Sequence, residues 1–177
     1  MKYLAPDVLN IGSNAMRNDF PGLDRFDRAI LSIVAEDGRI SVADLARRIG
    51  LSKSPTQARL KRLESEGVIT GYRAMLDPIR LGLDHVAFVE VRLTDTREKA
   101  LAEFNAAVRK VPEIEQAHMI ASNFDYLLKV RTGSMTEYRA VLAEKISSLP
   151  HVASTSTFVA MEAVKETGLA DAIDGVA

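Results

Sequence analysis

The sequence predicts an α+β protein in which a winged helix-turn-helix is followed by a ferredoxin-like sandwich domain of element order βαββαβ. In the first half, apolar residues recur at helical spacing in three short segments that are separated by glycine-containing turns. In the second half, four segments of alternating apolar and polar residues are interspersed with two helical segments. A chain of 177 residues is long enough for two small domains that each bury a core.

We expect the chain to divide into five parts. They are a tag remnant and flexible arm over 1–22, the winged helix-turn-helix over 23–75, a linker over 76–84, the ferredoxin-like domain over 85–166 and a tail over 167–177. The run Ser13-Asn14-Ala15 before Met16 is typical of the scar of a cleaved tag, so Met16 is the expected native start.

The composition excludes several classes of protein. A hydrophobic content of 47% with 27% charged residues is typical of an ordinary globular protein. No apolar run approaches the roughly 18 residues of a membrane span, and no signal peptide is recognisable. The absence of cysteine excludes disulfide frameworks and thiolate metal sites. We therefore expect a cytoplasmic protein with no membrane partner, and we predict no metal and no cofactor.

Capping residues mark the ends of the helices predicted in the first half. Asp24 and Ser41 are placed to accept hydrogen bonds from the first turns of the first two helices. Gly50 can adopt the positive φ that ends the second helix. For the third helix, we predict Ser54 as the N-cap and Pro55 at the first helical position.

The third helix is predicted to carry a polar face opposite a buried side formed by Leu60 and Leu63. An exposed face that mixes an amide, hydroxyls and cations suits the base edges of DNA flanked by phosphates. The predicted DNA-binding residues are Lys53, Ser54, Gln57, Arg59, Lys61 and Arg62. Gln57 is the candidate for bidentate pairing with adenine, and the arginines and Lys61 are expected to hold the phosphate backbone.

Charge is distributed unevenly along the chain, although the net charge is only −1. Residues 39–72 contain seven lysines and arginines against three acids. Because phosphate binding responds to local charge, this excess favours a nucleic-acid partner over a merely solvated surface. A helical bundle that is used only for protein contacts is the alternative.

After the third helix, segments 68–69 and 71–74 are predicted to pair as the two short strands of a wing.

The second half is predicted to form a four-stranded antiparallel sheet. Alternation predicts strands over 85–94, 113–121, 124–131 and 152–161. Two helices would cover one face, so the other face would stay open, with Val86, Phe88 and Phe158 as candidates for its apolar surface. Such a surface predicts a homodimer, which would supply the two half-sites of a pseudo-palindromic operator.

Several stretches in both halves resemble one family of regulators. In the first half they are Leu23-Asp24 through Ala46-Arg47, Gly50-Leu51-Ser52, Arg59-Leu60, Arg62-Leu63-Glu64 and Gly67-Val68-Ile69. In the second half they are Phe124-Asp125-Tyr126-Leu127-Leu128 and Tyr138-Arg139. These residues resemble the DNA-binding and ligand-sensing halves of the leucine-responsive/asparagine regulators, the Lrp/AsnC or feast/famine family. The resemblance covers about residues 23–166 and implies transcription regulation by homodimers that assemble into octamers.

The resemblance also implies an amino-acid effector bound between dimers. The implied effector-binding residues are Ser122, Asn123, Asp125, Met135, Phe158 and Val159. Asp125 can accept the ammonium of an amino acid, and amides of the Ser122-Asn123 turn can hold its carboxylate; alternatively, Asp125 only caps a turn. Ser122 stands where the family commonly has glycine, so we expect a narrower pocket or a different ligand.

Residues 52–59 and 83–91 are similar to alphaproteobacterial activators of proline utilisation, which implies activation of proline catabolism genes. An amino-acid-binding module that acts through protein contacts rather than DNA is the alternative function. An enzyme is the rival from another class, with His85, His118 and His151 as its candidates. These histidines lack metal-ligand spacing, and the chain has no glycine-rich phosphate loop, so no catalytic residue is predicted.

Overall fold

The computed structural model describes residues 22–166, which fall into two compact units that meet in sequence at Ala74 and Met75. The first is helical and the second is built on a sheet, so the predicted α+β class is confirmed. The arm predicted over 1–22, except its last residue, and the tail predicted over 167–177 lie outside the described residues. Within 22–166, no helix is long and apolar enough to cross a membrane.

The first unit consists of three helices around a small core. The helices are α1 (Arg25–Glu36), α2 (Val42–Ile49) and α3 (Lys53–Ser65). Ile30, Leu45 and Leu63, one from each helix, are fully buried and form the centre of the core. The predicted turn between α2 and α3 is confirmed, because Gly50 ends α2 with a φ of 72°.

The helix caps confirm two predictions and correct a third. The Asp24 carboxylate accepts a hydrogen bond from the Phe26 amide (2.8 Å), and the Ser41 hydroxyl accepts one from the Asp44 amide (3.1 Å). The predicted N-cap of α3 was wrong. Ser52 has the extended backbone of an N-cap (φ −75°, ψ 162°), so helical geometry begins at Lys53.

This earlier start of α3 places Pro55 at the third helical position instead of the first. Proline is tolerated there because the first N–H groups of a helix have no intrahelical acceptor. The Thr56 hydroxyl donates to the Ser52 carbonyl (2.9 Å), which ties the first turn together. The prediction failed because Ser52 and Ser54 are both acceptable caps by residue type, and only the backbone geometry distinguishes them.

The predicted wing strands were also wrong, because residues 68–74 form no strand pairing. Only Thr70 separates the two predicted segments, and a hairpin needs at least about two loop residues. The segment is held against the helical unit instead. The Ile69 amide donates to the Leu63 carbonyl (3.0 Å), and the Tyr72 hydroxyl donates to Glu64 (2.9 Å).

A buried carboxylate joins α1 to α3. Asp27 accepts hydrogen bonds from Arg59 Nη1 (2.9 Å) and from Arg62 Nη2 (2.6 Å). Its side chain is only 2% exposed. Burial would raise the pKa of Asp27, but hydrogen bonds from Arg62, the Asp24 amide and Arg59 outweigh it and hold the pKa below its usual value. The network therefore keeps Asp27 ionised inside the helical unit.

The second unit contains four strands and two helices. They are β1 (His85–Leu93), α4 (Glu98–Val108), β2 (Ile114–Met119), β3 (Tyr126–Thr132), α5 (Met135–Val141), continued by a π-helical turn (Leu142–Ile146), and β4 (Val152–Val159). The sheet order is β2-β3-β1-β4, and every neighbouring pair is antiparallel. This order confirms the predicted ferredoxin-like arrangement.

The core of the second unit lies between the two helices and one face of the sheet. Phe104 of α4 and Tyr138 of α5 pack in one buried cluster with Ala87, Val89 and Val91 of β1. These three strand residues are spaced by two, so they share the covered face, as predicted. Their neighbours in sequence therefore point to the opposite face of the sheet.

That opposite face exposes two aromatic side chains. Phe88 and Phe158 lie directly across from each other in the β1–β4 pairing and are 36% and 54% exposed. Val86 was predicted to add to this surface, but it is 8% exposed, so this part of the prediction was wrong. Arg131 lies opposite Val86 and donates to the Leu83 carbonyl (3.1 Å), so the unit's own chain occupies that end of the face.

We predict that the free energy of unfolding of the helical unit falls in acid because of Asp27. Its pKa in the folded state lies below the usual 3.8, so its stabilising effect is complete above about pH 4 and is lost as the pH falls through the folded value. Urea denaturation followed by helical circular dichroism between pH 3 and 7 measures this loss. Asp27→Asn should show a smaller acid dependence, and an unchanged dependence would contradict the prediction.

Candidate DNA interface and effector site

The predicted DNA-binding residues fall into two groups on α3. Lys53, Ser54, Gln57 and Lys61 are exposed, whereas Arg59 and Arg62 are partly buried. Positions 53, 57 and 61 are four residues apart, so their side chains follow one stripe along the helix. The buried Thr56 and Leu63 lie outside this stripe.

The stripe has the chemistry of a base-reading surface. Gln57 offers an amide that can both donate and accept, as adenine recognition requires. Lys53 and Lys61 flank it, and within residues 22–166 neither lysine forms an ion pair. Two free ammonium groups around a central amide are suited to phosphates on either side of a base edge.

Arg59 and Arg62 are instead engaged by carboxylates from the α1 region. Arg59 Nη1 lies 2.7 Å from Asp24 Oδ2 as well as 2.9 Å from Asp27 Oδ1. Its guanidinium also lies 5.5 Å from the centre of the Phe26 ring, within range of a cation–π contact. The hydrogen bonds with Asp27 and Asp24 raise the pKa of Arg59, so its guanidinium stays charged beside the two carboxylates.

Asp27 is the site residue that the sequence prediction missed. It stands in the stripe of α1 that carries Phe26 and Ile30, a stripe that periodicity alone assigns to the core. An acid in such a position needs a cationic partner when it is buried. Arg59 and Arg62, three residues apart on α3, are such partners, and this spacing is the feature of the sequence that could have indicated a buried acid opposite them.

The predicted effector-binding residues divide between opposite ends of the sheet. Ser122 and Asn123 are exposed in the loop before β3, near the end of β1, where the Asp125 amide donates to the Val91 carbonyl (2.9 Å). Met135 follows the far end of β3. Thr132 is seven positions after Asp125, a distance of about 23 Å along a strand.

Phe158 and Val159 belong to the same distant end as Met135. They pair with Phe88 and Ala87, near the start of β1. In a single chain the six residues therefore do not line one pocket.

Asp125 is already used as a backbone cap. Its Oδ2 accepts a hydrogen bond from the Leu93 amide at 2.7 Å, which is the turn-stabilising role considered as the alternative. A carboxylate has two oxygens and several lone pairs, so this hydrogen bond leaves acceptor capacity for an ammonium group. In the neighbouring turn, the Ser122 hydroxyl donates to Asn123 Oδ1 (2.9 Å).

A polar cavity of about 300 Å³ adjoins the Asn123 loop. Its lining includes Glu90 and Arg92 of β1, which are opposite in charge and two residues apart, so they share the open face of the sheet. Ser154 and Ser156 of β4 also line the cavity, beside Arg92 and Glu90 respectively, and Phe124 contributes its apolar part. The volume is at the small end of the range for ligand pockets, and a cation beside an anion complements a zwitterion.

Comparison with protein families assigns each half separately. Residues 23–70 match the model described as winged helix-turn-helix DNA-binding. Residues 86–170 match the Lrp/AsnC ligand binding domain. Both matches fall on the predicted halves in the predicted order.

Similar curated proteins cover most of the chain. A proline dehydrogenase transcriptional activator of Rhizobium radiobacter is 64% identical over 147 residues, which are 83% of this chain and 94% of the relative. Another from Rhodobacter capsulatus is 60% identical over 144 residues, 81% of this chain and 94% of that protein. The leucine-responsive regulatory protein of Escherichia coli K12 is 44% identical over 145 residues, which are 82% of this chain and 88% of that protein.

Solved structures agree with these relatives. An AsnC family transcriptional regulator from Agrobacterium tumefaciens has a TM-score of 0.78 and 34% identity, covering 82% of this chain and 94% of that one. A regulator from Neisseria meningitidis, solved as a complex with L-Met, has a TM-score of 0.77 and 31% identity with the same coverage. The chain is therefore a DNA-binding transcription regulator and not an enzyme, and it belongs to the Lrp/AsnC family.

Proposed function

We propose that this protein is a cytoplasmic, amino-acid-responsive activator of proline catabolism genes that reads its operator with α3. The exposed stripe of Lys53, Gln57 and Lys61 carries the DNA part of this proposal. The names of the relatives at 64% and 60% identity support the target genes.

In the proposed complex, α3 enters the major groove of a double-stranded operator. Gln57 and Ser54 contact base edges, because they offer neutral donors and acceptors. Lys53 and Lys61 neutralise flanking phosphates, because their ammonium groups are exposed and make no ion pair in residues 22–166. Arg59 and Arg62 are not assigned to phosphates, since Asp27 holds both guanidinium groups.

We further propose a homodimer that is formed through the open face of the sheet and assembles into an octamer. The exposed pair Phe88 and Phe158 supports this assignment, because aromatic surface of this kind is normally covered by a partner. A two-fold dimer presents two copies of α3, which suits half-sites about 34–36 Å apart on one side of the duplex.

The effector is proposed to bind where copies of the chain meet. Ser122, Asn123 and Asp125 of one copy would then face Met135, Phe158 and Val159 of another, because one chain cannot bring the two groups together. A neighbour solved with L-Met supports an amino acid as the ligand class. Glu90 and Arg92 beside the Asn123 loop add two charges that match an ammonium and a carboxylate.

The target genes can be tested with promoter DNA from a proline dehydrogenase gene of the source genome. The full-length protein should retard this duplex at concentrations that leave a scrambled duplex of equal length free, and a reporter on this promoter should lose activity when the regulator gene is deleted. Equal retardation of both duplexes, or an unaffected reporter, would contradict the proposal.

A matched pair of substitutions on α3 should separate base reading from phosphate contact. Gln57→Ala should remove about 1–3 kcal/mol of discrimination at one operator position, because the bidentate amide is lost. Lys61→Ala should weaken specific and random duplexes alike and reduce the slope of log affinity against log salt by about one unit. Fluorescence anisotropy over a salt series measures both effects, and equal losses for the two kinds of duplex in Gln57→Ala would refute its role.

Replacing Asp125 by asparagine should separate ligand binding from turn capping. Asparagine keeps an oxygen that can accept from the Leu93 amide, so the melting temperature should change little. The negative charge is lost, so affinity for an amino-acid effector should fall about tenfold or more. Isothermal titration with proline, leucine and methionine measures this, and Asp95→Asn, which removes a partly exposed carboxylate that is not among the proposed site residues, is the control.

An unchanged affinity in Asp125→Asn would show that Asp125 only caps the turn and does not bind the effector.

Ser122→Gly provides an independent measurement on the same loop. If the hydroxymethyl group narrows the pocket, glycine should change the order of preference among the three amino acids. Identical affinity and selectivity would show that Ser122 does not shape the ligand pocket.

A further inference from the structure

The carboxylate of Asp27 uses both of its oxygens on α3. Oδ1 accepts from Arg59 Nη1 at 2.9 Å, and Oδ2 accepts from Arg62 Nη2 at 2.6 Å. Oδ2 also accepts from the Asp24 amide at 3.1 Å, which fixes the carboxylate in the first turn of α1. The Asp27 carboxylate is therefore fixed by a hydrogen bond at the start of α1, and it binds α3 through two arginines.

This arrangement divides the positive charge of α3. The helix carries the cations Lys53, Arg59, Lys61 and Arg62. Two of them are neutralised by carboxylates from α1 and its cap, and the other two point outwards without an ion pair in the described chain. A helix with four cations thus presents two of them freely to a duplex.

If Arg59 and Arg62 both turned to phosphates, Asp27 would be left charged and buried without a cationic partner. Removing the partners of a buried charge is strongly unfavourable, because nothing else replaces the lost solvation. Arg59 has a second carboxylate, Asp24, at 2.7 Å and an aromatic ring beneath it, so its position is further restrained. We therefore expect the pairing to be maintained when DNA is bound.

We propose that Asp27 is a positioning residue that sets DNA specificity by holding Arg59 and Arg62 against α1, away from the phosphates. Sequence-independent affinity grows with each phosphate that a cation neutralises, whereas base discrimination does not. Restraining two cations lowers the affinity for random DNA while the outward stripe still reads bases. This inference rests on the proposed α3 interface, which Lys61→Ala tests separately.

Four variants of the full-length protein test the role of Asp27. Asp27→Asn releases both arginines. The triple variant D27N/R59Q/R62Q removes the acid and both cations together. Asp24→Asn releases one partner of Arg59 and keeps the helix cap, because asparagine caps as well as aspartate. Asp95→Asn is the matched control, since it also removes one carboxylate paired with an arginine, Arg97, but in the other unit.

The measurement is the affinity for a random duplex of about 20 base pairs between 50 and 300 mM salt, with an operator duplex in parallel. For Asp27→Asn we expect the salt slope on random DNA to steepen by up to about 1.8 units, because each freed arginine adds about 0.9. The ratio of operator to random affinity should fall severalfold. The triple variant should return to the wild-type slope, and Asp95→Asn should keep it.

Two results would overturn the proposal. A wild-type slope in Asp27→Asn would show that the arginines are not restrained from phosphates by this residue. A triple variant with a slope about 1.8 units shallower than wild type would show that both arginines already contact phosphates. If Asp27→Asn does not fold by circular dichroism, the triple variant decides: a wild-type slope supports the proposal, and a shallower slope refutes it. Asp24→Asn leaves Arg59 and Arg62 paired with Asp27 and should keep the wild-type slope.

Discussion

The pairing of the buried Asp27 carboxylate with two arginines is the interaction on which the position of α3 depends. This carboxylate completes a reciprocal cap, in which Asp24 Oδ1 accepts from the Asp27 amide (3.0 Å) and Asp27 Oδ2 accepts from the Asp24 amide (3.1 Å). The same carboxylate binds two arginines on α3. The start of α1 and the orientation of α3 are thus coupled through one side chain, so a local helix signal becomes a tertiary restraint.

The antiparallel sheet imposes the corresponding constraint on the second unit. It places the Asp125 loop at one end and Phe158 at the other, so a site containing both requires more than one copy of the chain. In the proposed site, a ligand that touches two copies binds the assembled protein more tightly than the separate chains. By thermodynamic linkage, assembly and ligand affinity must then strengthen each other by the same factor.

The parts of the structure that follow from local patterns were predictable from sequence. Alternation located the four strands, and the caps at Asp24 and Ser41 follow from residue type and spacing. The α3 cap and the wing strands failed for local reasons of backbone geometry and loop length, whereas the pairing of Arg59 and Arg62 and the burial of Val86 were missed because the deciding partner is distant in sequence. A helical wheel shows that Arg62 is polar and outward from Leu63, but it cannot show an acid 35 residues earlier. Likewise, alternation assigns Val86 to the open face without revealing the chain that covers it.

The division of charge on α3 bears on how such a regulator can be controlled. With Lys53 and Lys61 as the proposed phosphate contacts, one helix gains little sequence-independent affinity, because that affinity depends on the number of phosphates neutralised. Occupancy of an operator then depends on how many copies of α3 bind together, since linked sites raise the effective concentration of one another. In the proposed assembly, an effector bound between copies would change that number or its geometry. Because each copy of α3 would bind DNA weakly by itself, a ligand that changes the assembly of the sheet units would change DNA affinity without contacting α3.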